Sequence, residues 1–155
     1  DNLDCMSKAF TLKGKEILSA IKTEIRISSI VRDLKRPINR DKKWIGVWDT
    51  GASKSSISQR VVDELGLISV GNIVISTSNG VVTVNAYYVD FTLPNDEIVK
   101  YILVSCADLG DEVDALIGMD IISLGDFSIT NANNQTTFSF RMPPESEVDY
   151  TKHNN

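Results

Sequence analysis

Asp49-Thr50-Gly51-Ala52-Ser53 follows the apolar run Trp44-Ile45-Gly46-Val47-Trp48. That order sets a carboxylate at the exit of a buried strand, on a turn tight enough to need glycine. One carboxylate is a poor catalyst of amide hydrolysis. Two that share a proton can activate a water and protonate a leaving amine. The chain has one Asp-Thr-Gly and no Asp-Ser-Gly, so a second carboxylate would come from a second copy. The competing reading is a plain turn, since Asp and Gly are common turn residues.

Composition removes most other chemistries. The only histidine, His153, lies in the last three residues, so neither a Ser-His-Asp triad nor a Cys-His pair can be built in the fold. Cys5 and Cys106 are the only cysteines, and their spacing suggests neither a disulfide framework nor a zinc site. No Gly-rich phosphate loop is present. The acidic loop Asp108, Asp111, Glu112, Asp114 lacks the ligand spacing and central glycine of an EF-hand and reads as solvated. We therefore expect no metal and no cofactor. A net charge of −5 argues against nucleic acid as a partner. The basic stretch Lys35 to Lys43, interrupted by Pro37 and Asp41, reads as an exposed loop. No apolar run approaches the ~20 residues of a membrane helix. No signal peptide is visible, which favours the cytoplasm, although the chain begins at Asp1 and reads as a processed or trimmed product.

The elements that must position Asp49 are short. The apolar fraction of 42% allows a real core. Residues 1–14 show no clear period and read as a poorly ordered lead or a short edge strand. Glu16 to Ile21 has helical features, after which Ile25 and Ile27 flanking Arg26 mark a strand. Trp44–Trp48 is a buried strand. Ser58 is placed to cap a short helix with Val61, Val62 and Leu65 on one face and Gly66 at its end. Residues 72–76 and 81–93 are strands around Thr77-Ser78-Asn79-Gly80, where Asn-Gly is a hairpin signal. Tyr87 and Tyr88 fall on opposite faces of the second strand. Pro94-Asn95-Asp96 turns the chain into a strand over 97–104. Cys106, just after it, reads as a small buried residue. Ala115-Leu116-Ile117 is another apolar strand, ending at Gly118. A short helix runs from Asp120 to Leu124, and a last hairpin joins 127–130 to 136–141. Short strands, frequent turns and one or two short helices indicate an all-β barrel or sandwich.

Trp48-Asp49-Thr50-Gly51-Ala52-Ser53 followed by Ile57-Ser58 resembles the active-site loop of retropepsin-like aspartic proteases. Ala115-Leu116-Ile117-Gly118-Met119-Asp120-Ile121-Ile122 resembles that family's second signature, an aliphatic strand and glycine before a short helix. Gly-Met-Asp-Ile-Ile-Ser-Leu-Gly-Asp-Phe is closer to bacterial or phage members than to retroviral ones. The resemblance implies a single-lobe acid protease barrel over residues 16–142, with a lead over 1–15 and a polar tail over 143–155. It implies a homodimeric endopeptidase acting on peptides or proteins, with Asp49 of each chain as the dyad. It further implies that Thr50 braces the dyad, that Gly51 allows close packing beside Ala52 and Ser53, and that Ile117, Gly118 and Asp120 form the supporting motif. A flap hairpin near 73–89 would have Ser76, Thr77, Ser78, Asn79, Gly80 and Val81 at its tip and close over substrate.

Two positions depart from the retroviral pattern, and a third, Ala52, differs from pepsin-like enzymes. Retroviral members carry an acidic residue where this chain has Ser53 and an arginine where it has Met119, a pair that helps hold substrate backbone. Ala52 cannot donate a hydrogen bond to the carboxylate, as the hydroxyl of pepsin-like enzymes does. Activity is therefore expected at mildly acidic to neutral pH rather than strongly acidic pH. Asp120 reads as a helix cap, with the second catalytic carboxylate as the rival reading. Two alternatives to an active enzyme stand beside the main reading. One is a non-catalytic dimerisation or peptide-binding module on the same fold; the other is a protease that needs its flanking segments.

Overall fold

The computed structural model describes residues 7–30 and 41–152. Cys5, His153 and most of the basic stretch (Lys35, Arg36, Pro37 and Arg40) lie outside the described residues. The strands in chain order are β1 (Lys8–Lys13), β2 (Ile21–Ser29), β3 (Trp44–Trp48), β4 (Ser56–Ile57), β5 (Gly71–Thr77), β6 (Gly80–Thr92), β7 (Ile98–Cys106), β8 (Ala115–Ile117), β9 (Asp126–Thr130) and β10 (Thr137–Met142). Two short helices, α1 (Gln59–Leu65) and α2 (Met119–Ile122), and a 3₁₀ turn at Ala132–Asn134 complete the described elements. The fold is all-β, as the short strands and frequent turns required.

Seven strands form one sheet in the order β2-β3-β8-β4-β7-β6-β5, and β2 also pairs with β6. That extra pairing, Arg26 opposite Thr92 through Ser29 opposite Val89, closes six of the strands into a barrel. β5 stays outside as a hairpin arm on the first half of β6. Thr77 pairs with Gly80, so the hairpin loop is the two residues Ser78 and Asn79, tighter than the four-residue loop expected from sequence. Gly80, at φ 113°, supplies a torsion that other residues rarely adopt.

β2 alternates buried Ile21, Thr23, Ile25 and Ile27 with outward Lys22 and Glu24, the period of a strand with one wet face. Both faces of β3 are covered to a greater degree, with Trp44, Gly46 and Trp48 buried and Ile45 and Val47 half-buried. Trp48 packs on Phe138 and Phe140 at ring-centroid distances of 5.1 and 5.0 Å, and its Nε1 donates to Thr23 Oγ1 at 2.9 Å. This aromatic cluster, joined by Phe10 and Phe127, welds the second sheet (β1-β10-β9) to the barrel. Fully burying a ring such as Phe138 or Phe140 is worth about 1.5–3 kcal/mol.

Several elements differ from expectation. Residues 8–13 take the edge-strand option, pairing along β10 from Lys8–Met142 to Lys13–Thr137. Glu16 to Ile21 forms no helix before β2. Six residues are too few to offset helix nucleation. Buried Thr136 holds them in an irregular, bent segment instead: its N–H donates to Glu16 O at 3.2 Å, and its Oγ1 accepts Leu18 N–H at 2.8 Å. α1 ends at Gly66 in the left-handed region, but Ser58 does not cap it through its side chain, and its buried hydroxyl has no partner among the described residues. Tyr87 is the inward tyrosine, while Tyr88 stacks on Tyr101 at 4.4 Å on the outer face. Cys106 is half-exposed rather than buried, with its thiol donating to Gln59 Oε1 at 3.3 Å. Of the basic stretch, Lys42 pairs with Glu64 and lies over the Trp44 ring, and Lys43 pairs with Glu24.

Candidate active site

β3 and β8 run parallel, with Trp48 opposite Ile117, so Asp49 and Gly118 leave the sheet at the same edge. β8 lies between β3 and β4. The chain from β3 to β4, residues 49–55, must therefore cross over the end of β8. Gly118 is the residue underneath. A Cβ there would lie 2.8 Å from Ala52 O, 2.8 Å from Lys54 C and 2.9 Å from Lys54 O. Its torsions, φ −94° and ψ −172°, suit any residue, so the glycine answers a close approach and not a strained backbone.

Backbone hydrogen bonds fix the crossing loop. Asp49 N–H donates to Ile117 O at 2.9 Å, extending the β3–β8 pairing by one residue. Ala52 N–H donates to Asp49 O at 3.2 Å, and Met119 N–H donates to Ala52 O at 2.8 Å. Gly51 N–H donates to Asp49 Oδ1 at 2.8 Å. A Cβ on Gly51 would sit 3.1 Å from that same oxygen, closer than an ordinary contact. Asp49 is half-buried, while Thr50, Gly51 and Ser53 beside it are exposed. A carboxylate in this setting is oriented by a backbone amide yet open to water or substrate.

Asp120 neither caps α2 nor joins Asp49. The N-cap is Gly118, and Asp120 stands in the first turn. Its carboxylate accepts Ser55 N–H at 2.9 Å, Ser55 Oγ–H at 2.7 Å and Ile121 N–H at 3.0 Å. Ser55, fully buried, also accepts Gly118 N–H on its Oγ at 3.0 Å. Sequence reading passed over Ser55. The signal available was a hydroxyl residue just ahead of buried Ile57, where an apolar residue would be expected.

The two departures from the retroviral pattern meet at this site. Ser53 is exposed and Met119 is 37% exposed. No charged pair joins them, yet the backbone link from Met119 N–H to Ala52 O holds the same two segments together. At the hairpin tip, Thr77 Oγ1 donates to Gly80 O at 2.9 Å and accepts Asn79 N–H at 3.3 Å, so these bonds stay within the hairpin. Val74, Val81 and Val82 are exposed along it. Among the described residues, no group of three or more His, Cys, Asp or Glu side chains could hold a metal ion.

A family model and several solved structures resemble this chain. The model of the family described as "gag-polyprotein putative aspartyl protease" matches residues 38–124, which span β3, the crossing loop, the hairpin, β8 and α2. Among solved structures, a retropepsin-like aspartic protease from Rickettsia conorii superposes with a TM-score of 0.53 at 12% identity, covering 88% of this chain and 96% of that one. The simian foamy virus (mac) protease gives a TM-score of 0.46 at 16% identity, covering 66% and 92%. The EIAV protease complexed with the inhibitor HBY-793 gives 0.48 at 17% identity, covering 67% and 86%. No curated protein sequence matches the chain. At such identities the Rickettsia likeness speaks for the fold, and the family match rests on the segment that carries the loop. The chain belongs to the retropepsin-like aspartic protease family, in its gag-polyprotein aspartyl protease group.

Proposed function

We propose that the protein is an aspartic endopeptidase in which Asp49 of two copies holds a water and a shared proton. The observation that carries this reading is the half-buried Asp49 carboxylate, oriented by Gly51 N–H on a loop fixed across the end of β8. A single carboxylate lacks the acid that the leaving amine needs. Asp120 is taken up by Ser55 and Ile121, so the partner carboxylate is assigned to a second copy. Two carboxylates at close range do not both ionise easily, and the pair titrates as a unit. One takes a proton from water as it attacks the carbonyl; the other protonates the amine. Thr50, exposed beside Asp49, would meet its counterpart across the two-fold axis. The hairpin tip, Ser76 to Val81, would close over the substrate, and its exposed valines would gain cover by doing so.

The test is cleavage of a mixed peptide library between pH 4 and 7.5, with Asp49→Asn and pepstatin as controls and the solution mass measured at assay concentration. Cleavage lost in Asp49→Asn is expected. Absence of cleavage by a confirmed dimer would overturn the enzyme reading in favour of a peptide-binding module.

A further inference from the structure

The arm formed by β5 and the first half of β6 carries no charge. From Leu65 to Val89 the chain has no Asp, Glu, Lys or Arg, although 24% of its residues are charged. β5 ends its sheet, so its outer side has no strand beside it among the described residues. The two-residue loop makes Thr77 and Gly80 a hydrogen-bonded pair, and such pairs alternate along a hairpin. Ile75 and Ile73 therefore bond inward to β6, while Asn72, Val74 and Ser76 turn their N–H and C=O groups to the open side.

Open edges are normally guarded by charge, proline or cover. The edges of the three-stranded sheet follow that rule. β1 carries Lys8 and Lys13 at its ends, and β9 starts at Asp126, whose carboxylate accepts Glu145 N–H at 2.8 Å and Ser146 N–H at 3.4 Å. β5, Gly-Asn-Ile-Val-Ile-Ser-Thr, has neither charge nor proline, and Val74 at its centre is 65% exposed.

β5 is also complementary to itself. When two copies of it lie antiparallel about a two-fold axis at Val74, Val74 meets Val74, Ile73 meets Ile75 and Asn72 meets Ser76. Apolar residues meet apolar ones and polar residues meet polar ones. The groups turned outward, those of Asn72, Val74 and Ser76, are the ones this register bonds. Two copies of net charge −5 meet no like charge at this edge, whereas a charged foreign segment finds no ion pair there.

We propose that the β5 edge is a self-association surface, pairing antiparallel with β5 of a second copy about Val74. β5 pairs with neither β3 nor β8, which carry the Asp49 loop, so this contact does not draw on Asp49 and does not depend on the endopeptidase reading. A single strand pair is a small interface, below the ~1,200 Å² of a stable one, so the association is weak and set by concentration.

The experiment has two arms. Sedimentation velocity over a concentration series compares the wild type with Val74→Lys, which sets two like charges opposite each other. Val74→Cys and Thr83→Cys, each combined with Cys5→Ser and Cys106→Ser, are oxidised mildly and scored for covalent dimers. Residues opposed in a hydrogen-bonded pair have Cα atoms ~5.5 Å apart, within disulfide reach. Thr83, exposed on β6 opposite Val74, would stand three strand spacings, ~14 Å, from its counterpart. Val74→Lys should weaken association about 10-fold or more, and Val74→Cys should cross-link at least ~10-fold faster than Thr83→Cys. If copies also pair through Asp49, the step lost in Val74→Lys is dimer to tetramer; if they do not, it is monomer to dimer. Failure of the endopeptidase reading therefore leaves this test intact. Equal masses for wild type and Val74→Lys at every concentration would overturn the proposal, as would equal cross-linking of the two cysteine variants. Should Val74→Lys not fold, the cysteine pair decides.

Discussion

Gly118→Ala isolates the close approach between the crossing loop and the end of β8. The added Cβ would meet three backbone atoms, Ala52 O, Lys54 C and Lys54 O, at 2.8–2.9 Å. Carbon contacts are comfortable at about 3.5–4.0 Å, so the loop must rise by roughly 0.6–1 Å. No flexible side chain can yield in its place. Overpacking of this kind costs about 1–3 kcal/mol, and the rigidity of the neighbours puts this case at ~2–3 kcal/mol. In a domain of this size, each kcal/mol lowers the melting temperature by about 2–4 °C, which gives a fall of ~4–12 °C. The same displacement carries Gly51 N–H away from Asp49 Oδ1, and kcat should fall by about 10–100-fold. Gly80→Ala is the control, because its Cβ meets nothing within 4 Å while φ is 113°. It should cost about 1 kcal/mol through backbone conformation alone. Melting is followed at one fixed protein concentration, since the proposed dimer would make the midpoint concentration-dependent. A Gly118→Ala protein that melts with the wild type and keeps its kcat would refute the crossing-loop argument.

Three further outcomes follow from the same structure. Asp126 is held below the ordinary carboxylate value of 3.8, first by Glu145 N–H and then by the Arg141 side chain. A depressed folded-state value means its contribution to stability is full above 3.8 and is lost as pH falls below it. Asp126→Asn should flatten the acid limb of stability against pH in denaturant titrations, and an unchanged limb would count against this latch on residues 145–146. Burial, and then the charge of Asp63, push the Cys106 thiol upward. Iodoacetamide should therefore label it more slowly than free cysteine at neutral pH, and Asp63→Asn should speed labelling when each cysteine is mapped by mass spectrometry. Ala52 offers no hydroxyl to the Asp49 loop, so the pH–rate profile should peak in the mildly acidic to neutral range; a peak near pH 2 would contradict this.

What could be read from the sequence is local. β3 was visible because five apolar residues precede a turn triplet, and the α1 end because Gly66 stops an amphipathic turn. The β5–β6 hairpin followed from Asn79-Gly80, although the loop closed on Ser78-Asn79. The helical pattern at Glu16 to Ile21 misled because tertiary bonds to Thr136 outweigh the preference of a six-residue segment. Ser58 does stand at the N-cap of α1, its carbonyl accepting Val61 N–H and Val62 N–H, but its buried hydroxyl reaches no amide of the helix. The Ser55–Asp120 link spans 65 residues, and no local rule joins a serine to an aspartate at that distance.

Asp-Thr-Gly and Ile-Gly each looked like a turn or a strand end when taken alone. Their meaning depends on β8 lying between β3 and β4, an ordering that neither segment encodes by itself. Once that ordering is known, the glycine becomes the informative residue. Gly118 has extended torsions that alanine would accept, so its small size can only serve what crosses above it. The loop above in turn needs Gly51 to bring an amide to the carboxylate it carries. One glycine lets the loop descend and the other lets it reach Asp49. The placement of this carboxylate is therefore set as much by two absent side chains as by the aspartate itself.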